Sequence, residues 1–139
     1  MRGWRRSKRW WALERPSVLS RADDSRVDKP WGYELRWAIT DRYLGKILHI
    51  NRGEALSLQY HEMKDECILL SRGLLDLELD GEVHRLHPGE SAHITPGTRH
   101  RMTAVEDCDI FEVSTPEVND VVRLEDRYGR EGTRDRAQA

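Results

Sequence analysis

Four residues of this 139-residue sequence carry side chains that could hold one metal ion together: Gln59, His61, Glu66 and His100. Side chains alternate between faces along a strand. Ser57, Gln59 and His61 therefore share one face of the stretch 54–61, and Leu56, Leu58 and Tyr60 the other. A short bend through Glu62, Met63, Lys64 and Asp65 can return Glu66 toward the same point. His100 follows the tight turn Pro96-Gly97-Thr98 and could approach from a neighbouring strand. Two imidazoles, a carboxylate and an amide oxygen form a mixed nitrogen and oxygen set, without the thiolates of a closed structural zinc site. Such a set suits one divalent ion, with Zn²⁺ foremost and Mn²⁺, Fe²⁺, Co²⁺ or Ni²⁺ as alternatives. In a six-coordinate ion, four protein ligands leave two positions open, enough for two adjacent substrate oxygens. Singly, each residue could be an ordinary hydrogen-bonded strand residue. Spacing is what makes them a set.

The elements that must position these residues read as strands. Stretches 42–50, 67–72 and 74–79 have the length and apolar content of strands. In the last of these, Leu75, Leu77 and Leu79 face one way and Asp76, Glu78 and Asp80 the other. Turn signals recur at Asn51–Gly53, Ser71–Gly73, Asp80-Gly81, Pro88-Gly89 and Pro96-Gly97. Many short strands between Gly and Pro turns predict an all-β sandwich or barrel rather than an α/β fold.

The ends read differently. Residues 1–16 place Trp4, Trp10 and Trp11 among Arg2, Arg5, Arg6, Lys8, Arg9 and Arg15. Arg5-Arg6 resembles a twin-arginine export signal, but no apolar core or small-residue cleavage site follows. We read this segment as a flexible arm, or one that docks on the barrel or on a partner subunit. The polar stretch from Ser17 to Asp28 reads as linker. Glu117 to Arg130 is charged, with Val118, Val121, Val122 and Leu124 as apolar anchors, and predicts a short helix or an extended strap. The expected organisation is an arm and linker over 1–27, a barrel over 28–115, a strap over 116–130 and a disordered tail over 131–139.

Charged residues make up 35% of the chain, yet the net charge is only −2. That balance gives no push toward nucleic acid or acidic membrane surfaces. No apolar run approaches the ~20 residues of a membrane span. Cys67 and Cys108 form no CxxC pair, and each lies in a strand-like run. Both are expected to be buried free thiols in a reducing cytoplasm. His49, His84, His87 and His93 match no ligand position and are expected to be structural, with His84 and His87 exposed.

The spacing Gly53-x5-Gln59-x-His61-x4-Glu66-x6-Gly73 resembles the first cupin motif, with Gln in place of the usual first His. Gly89-x7-Gly97-x2-His100 resembles the second. The resemblance implies a single cupin barrel, a double-stranded β-helix or jelly roll. It narrows further. Lys29-Pro-Trp-Gly-Tyr-Glu34, Lys46–Ile50, Gly53–His61, Phe111–Thr115 and Asn119–Arg130 are similar to the C-terminal cupin domain of type II mannose-6-phosphate isomerases. That domain is often fused to mannose-1-phosphate guanylyltransferase. The similarity spans about residues 28–130, and in this family Gln stands where other cupins have the first His. The sequence departs between His61 and Glu66 and just after, where the family's His-rich aromatic stretch is missing, although Lys64 keeps a positive charge where the family has Arg.

The resemblance implies aldose–ketose isomerisation of a sugar phosphate similar to mannose 6-phosphate. The reaction moves a proton between C1 and C2 through an enediolate, and needs a Lewis acid, a base and cations for the phosphate. Lys46 matches a family Lys and could stabilise enediolate charge or grip phosphate. Arg123, preceded by Asp120, could close over the site. Glu112 interrupts an apolar strand (Ile110, Phe111, Val113) and is a candidate base; alternatively Lys46 and Glu112 form an internal ion pair. Two rival readings are a non-catalytic metal- and sugar-binding cupin and a metal-dependent cupin dioxygenase. A small single cupin is also expected to form a homodimer that protects its strand edges.

Overall fold

A computed structural model describes residues 19–132. The Trp-rich arm lies outside the described residues, as do positions 133–139 of the expected tail.

The short alternating runs become eleven strands: β1 (Arg26–Lys29), β2 (Gly32–Ile39), β3 (Leu44–Ile50), β4 (Leu58–Tyr60), β5 (Glu66–Arg72), β6 (Leu75–Leu79), β7 (Glu82–Leu86), β8 (Ser91–Ile94), β9 (His100–Ala104), β10 (Cys108–Ser114) and β11 (Val122–Glu125). They form two antiparallel sheets. One runs β1-β2-β3-β10-β5-β8 and the other β11-β4-β9-β6-β7. This is the expected all-β jelly roll, with the C-terminal strap laid on as an edge strand.

Period-two alternation puts Leu48 and Ile50, Ile68 and Leu70, and Ile110 on the inner face of the larger sheet. From the other sheet come Leu75, Leu77 and Met102, and together they make one buried cluster. That burial is the main favourable term in a fold with little helix. Alternation also decides the cysteines. Because Glu66, Ile68 and Leu70 point inward, Cys67 between them points outward and is exposed, contrary to expectation. Cys108 is buried, its Sγ 3.1 Å from the Leu74 carbonyl oxygen, and burial pushes its thiol pKa up.

Three segments depart from the sequence reading. The supposed linker holds a 3₁₀ turn (Ala22–Ser25) and then β1, which pairs with β2 through Arg26↔Leu35 to Lys29↔Gly32. A polar strand is tolerated there because it lies at a sheet edge, and the Arg26 guanidinium sits 3.9 Å from the centre of the Tyr33 ring. β3 begins at Leu44 because Thr40 Oγ1 accepts the backbone N–H groups of Arg42 and Tyr43, closing a turn. Glu131 and Gly132, expected in the tail, form a turn in which the Gly132 N–H donates to the Arg123 carbonyl at 2.8 Å.

Two motif glycines differ in what they permit. Gly73 has φ +100°, and a Cβ there would lie 2.2 Å from the Asp107 carbonyl oxygen. Gly53 has φ +80° but open space around it. Gly73→Ala should therefore destabilise by on the order of 3 kcal/mol. Gly53→Ala should lose only about 1 kcal/mol, the left-handed backbone penalty. Urea unfolding measures both, and equal losses would contradict the close-approach argument.

Candidate metal centre

One end of the sandwich is polar on the inside, and register explains how its side chains meet. In the smaller sheet Gln59 stands between Arg123 on β11 and His100 on β9, as Cα partner of both. In the larger sheet Glu34, Lys46, Glu112 and Glu66 are the inward residues of β2, β3, β10 and β5 at the same end, all buried. The bend after β4 joins the two sheets and contributes His61 and Lys64, also buried.

His61, Glu66 and His100 converge, their ligand atoms lying within 4.8 Å of one another. His100 Nδ1 donates to the Thr98 carbonyl at 2.9 Å, and His61 Nδ1 donates to the Asp120 carbonyl. A carbonyl oxygen only accepts, so Nδ1 carries the proton in each ring. In the neutral imidazoles this leaves Nε2 as a lone pair. Neither Nε2 has a hydrogen-bond partner among the described residues. They face Glu66 Oε1 at 3.5 Å from His61 and 3.3 Å from His100. Two lone pairs and a carboxylate oxygen aimed at one point repel one another unless a cation lies among them. The orphaned nitrogens and the hard-to-intermediate donor set thus fit a divalent metal, and the backbone carbonyls supply the orientation that ligating imidazoles need.

The other expected ligand is placed differently. Gln59 is half-buried and lines the same cavity as His61, with its Oε1 accepting from Ser57 Oγ at 2.7 Å. An amide oxygen has a second lone pair, so this bond does not use up its capacity.

Lys46 and Glu112 are cross-strand partners in the register, but their charges pair elsewhere. Lys46 Nζ lies 3.4 Å from Glu34 Oε1, which also accepts from Arg36 Nε at 2.7 Å. Glu112 Oε2 accepts from Lys64 Nζ at 3.0 Å, and the same ammonium lies 2.9 Å from Glu66 Oε2. The internal Lys46–Glu112 pair weighed as the alternative is not formed; a row of alternating charge takes its place, Glu34, Lys46, Glu112, Lys64, Glu66. Burial alone would raise the Glu66 pKa; the Lys64 ammonium reverses this, and the carboxyl is held well below its usual range. Burial likewise opposes the charge on Lys64, but Glu112 and Glu66 outweigh it and raise its pKa. Glu34 is lowered against its burial by Lys46, Lys29 and Arg36.

Sequence reading singled out neither Lys64 nor Glu34 as a site residue. Lys64 was legible only as a charge two positions before Glu66, inside a bend whose path alternation does not dictate. Glu34 stood in the Lys29–Glu34 motif, inward on β2 opposite Leu48. The remaining histidines lie away from the cluster. His49 Nδ1 pairs with Asp109 and His93 Nε2 with Asp65, both at 2.6 Å, and His84 and His87 are exposed.

A small cavity beside the cluster is lined by Gln59 and His61, and five Lys or Arg side chains reach it against three carboxylates, Arg130 itself being paired with Asp126. Arg123 and Arg130 come from the C-terminal segment, and that segment also shapes the bend. The Asp120 carboxylate accepts the backbone N–H groups of Glu62 (3.0 Å), Met63 (2.7 Å) and Lys64 (2.9 Å).

Comparison with known proteins agrees with this architecture. Residues 46–114 match the family described as Cupin domain. The chain belongs to the cupins. Over 109 residues this cupin is 35% identical to the mannose-1-phosphate guanylyltransferase of Escherichia coli (strain K12), covering 75% of the chain and 23% of that relative. The chain thus spans about a quarter of the length of the curated relatives it matches. The solved structure of KdgF from Halomonas sp. superposes with a TM-score of 0.61 at 25% identity, over 66% of this chain and 87% of that one. A sugar phosphate isomerase of the cupin superfamily from Silicibacter pomeroyi shares the fold, with a TM-score of 0.58 at 20% identity over 73% and 67% of the two chains.

Because Asp120 gathers three N–H donors, Asp120→Ala should destabilise the cupin by about 2 kcal/mol. Asp120→Asn, which keeps one acceptor oxygen, should lose about half as much. Chemical denaturation compares the two, and an alanine variant as stable as the parent would show that the bend does not need this carboxylate.

Proposed function

We propose that this cupin binds one divalent metal ion through Gln59, His61, Glu66 and His100, and isomerises a sugar phosphate similar to mannose 6-phosphate. The observation that carries the reading is the pair of orphaned Nε2 atoms facing Glu66 beside a cavity rich in Lys and Arg. The similarity to mannose-1-phosphate guanylyltransferases supports the choice of sugar.

When bound, the metal would supply Lewis acidity toward the two adjacent oxygens of an open-chain sugar. The remaining work falls to the chain. Arg123, Lys29 and Arg130 line the cavity and would draw in and orient the phosphate by charge-assisted hydrogen bonds. Lys46, held at 3.4 Å from Glu34, would place a positive charge near the oxygens that become anionic in an enediolate. Glu112 is the carboxylate we assign to carry the proton between C1 and C2. Its Oε2 is tied to the Lys64 ammonium, which fixes its direction.

That tie also favours a second reading, a metal-dependent sugar-binding cupin without turnover. Glu34 and Glu112 both line the cavity, and both are engaged by cations.

Two measurements test these readings. Metal analysis of the purified protein should find about one equivalent of divalent metal, lost in His100→Ala and weakened at least tenfold in Gln59→Ala. Full retention of metal by His100→Ala would sink the site. Fructose 6-phosphate formation from mannose 6-phosphate is then assayed with Zn²⁺, Mn²⁺ or Co²⁺. The isomerase reading expects turnover that falls by at least ~10²-fold in Glu112→Gln. Metal-dependent binding without turnover would leave the binding reading.

A further inference from the structure

Resting on the metal reading above, we propose that Lys64 is a positioning residue that limits Glu66 to one oxygen toward the metal and so keeps a coordination position open for substrate. The geometry is specific. Lys64 Nζ lies 2.9 Å from Glu66 Oε2, while Oε1 is the atom facing His61 Nε2 and His100 Nε2 at 3.5 and 3.3 Å. The two oxygens of one carboxylate are thereby divided between an ammonium and the candidate metal point.

Carboxylates bind divalent ions through one oxygen or two, and the choice changes how many positions remain. Isomerisation at adjacent carbons calls for two neighbouring substrate oxygens. A Glu66 turned to present both of its oxygens would consume one of those positions. Lys64 opposes that rotation because the turn would break a charge-assisted contact inside a buried site and leave the ammonium with Glu112 alone.

The same ammonium is held from the other side by Glu112 at 3.0 Å, and its own backbone N–H donates to Asp120 at 2.9 Å. Its head and its root are thus both anchored, by strand β10 and by the C-terminal segment. A lysine serving only to neutralise Glu66 would not need this double anchorage. The arrangement also makes Lys64 the physical link between the carboxylate we assign to the metal and the one we assign to proton transfer.

The test counts water molecules on Mn²⁺ bound to the protein, read by water-proton relaxation, and does not depend on turnover. K64M alone leaves Glu66 and Glu112 both without their ammonium, so the charge-balanced K64M/E112Q variant is decisive, with E112Q as its control. The double variant should lose about one exchangeable water relative to the parent and to E112Q, as Glu66 swings to bind with both oxygens. K64R, which keeps a cation in reach of both carboxylates, should retain the parental count, and it supplies the comparison if the double variant fails to fold. An unchanged count in K64M/E112Q, or a loss of water in K64R as large as in the double variant, would overturn the proposal. A parent protein that binds no Mn²⁺, Zn²⁺ or Co²⁺ would instead overturn the metal reading itself.

Discussion

Buried charge must be paired, and at one end of this sandwich that requirement governs everything nearby. Glu34, Lys46, Glu112, Lys64 and Glu66 are all buried. None could stay ionised alone, because removing an ion from water costs several kcal/mol even after relaxation. Alternation of sign along the row is the solution, with Arg36 closing it at Glu34. At the opposite end of the row the pattern stops at Glu66 and the imidazoles of His61 and His100. There the protein's own charges supply no further cation, and that is where a metal would sit.

The division between stability and function runs along the strands themselves. On β3 the inward residues change from Lys46 to Leu48 and Ile50, on β5 from Glu66 to Ile68 and Leu70, and on β10 from Glu112 to Ile110 and Cys108. Each strand thus gives its apolar part to the common core and its charged part to the cavity. The apolar part anchors the register, since a slip by one residue would turn every inward side chain outward. Once register is fixed, the charged residues have no choice of neighbour. Precision at the site follows from packing several residues away.

These same rules explain what could be read in the sequence. Alternation and turn residues are local, so the all-β fold and the inward face of Ser57, Gln59 and His61 were legible. So were the motif spacings that brought Glu66 and His100 near His61. The exposure of Cys67 was equally implied by an inward Glu66, but apolar composition pulled the reading the other way. The Lys46 pairing was not legible, because cross-strand register gives Cα neighbours and not the direction of a long side chain. Nor was the role of Lys64 or of Asp120. Both depend on a bend and a C-terminal segment meeting in space, and the sequence separation between them carries no periodic signal.

An interior with so many ion pairs is not the most stable use of a small β sandwich. Buried ion pairs are often matched or bettered in stability by well-packed apolar side chains of similar volume. The apolar half of each strand shows that this fold readily takes that option. Where local structure departs from what stability alone would choose, function or strain is the usual reason. The departure here is confined to one end, around two imidazoles whose Nε2 atoms are left without hydrogen bonds among the described residues. Lys and Arg side chains around the cavity beside them are already paired with carboxylates, Lys46 with Glu34, Lys64 with Glu112 and Glu66, and Arg130 with Asp126. A divalent ion held at that end would add positive charge that the chain's own pairs do not match, and an anionic ligand in the cavity would balance it.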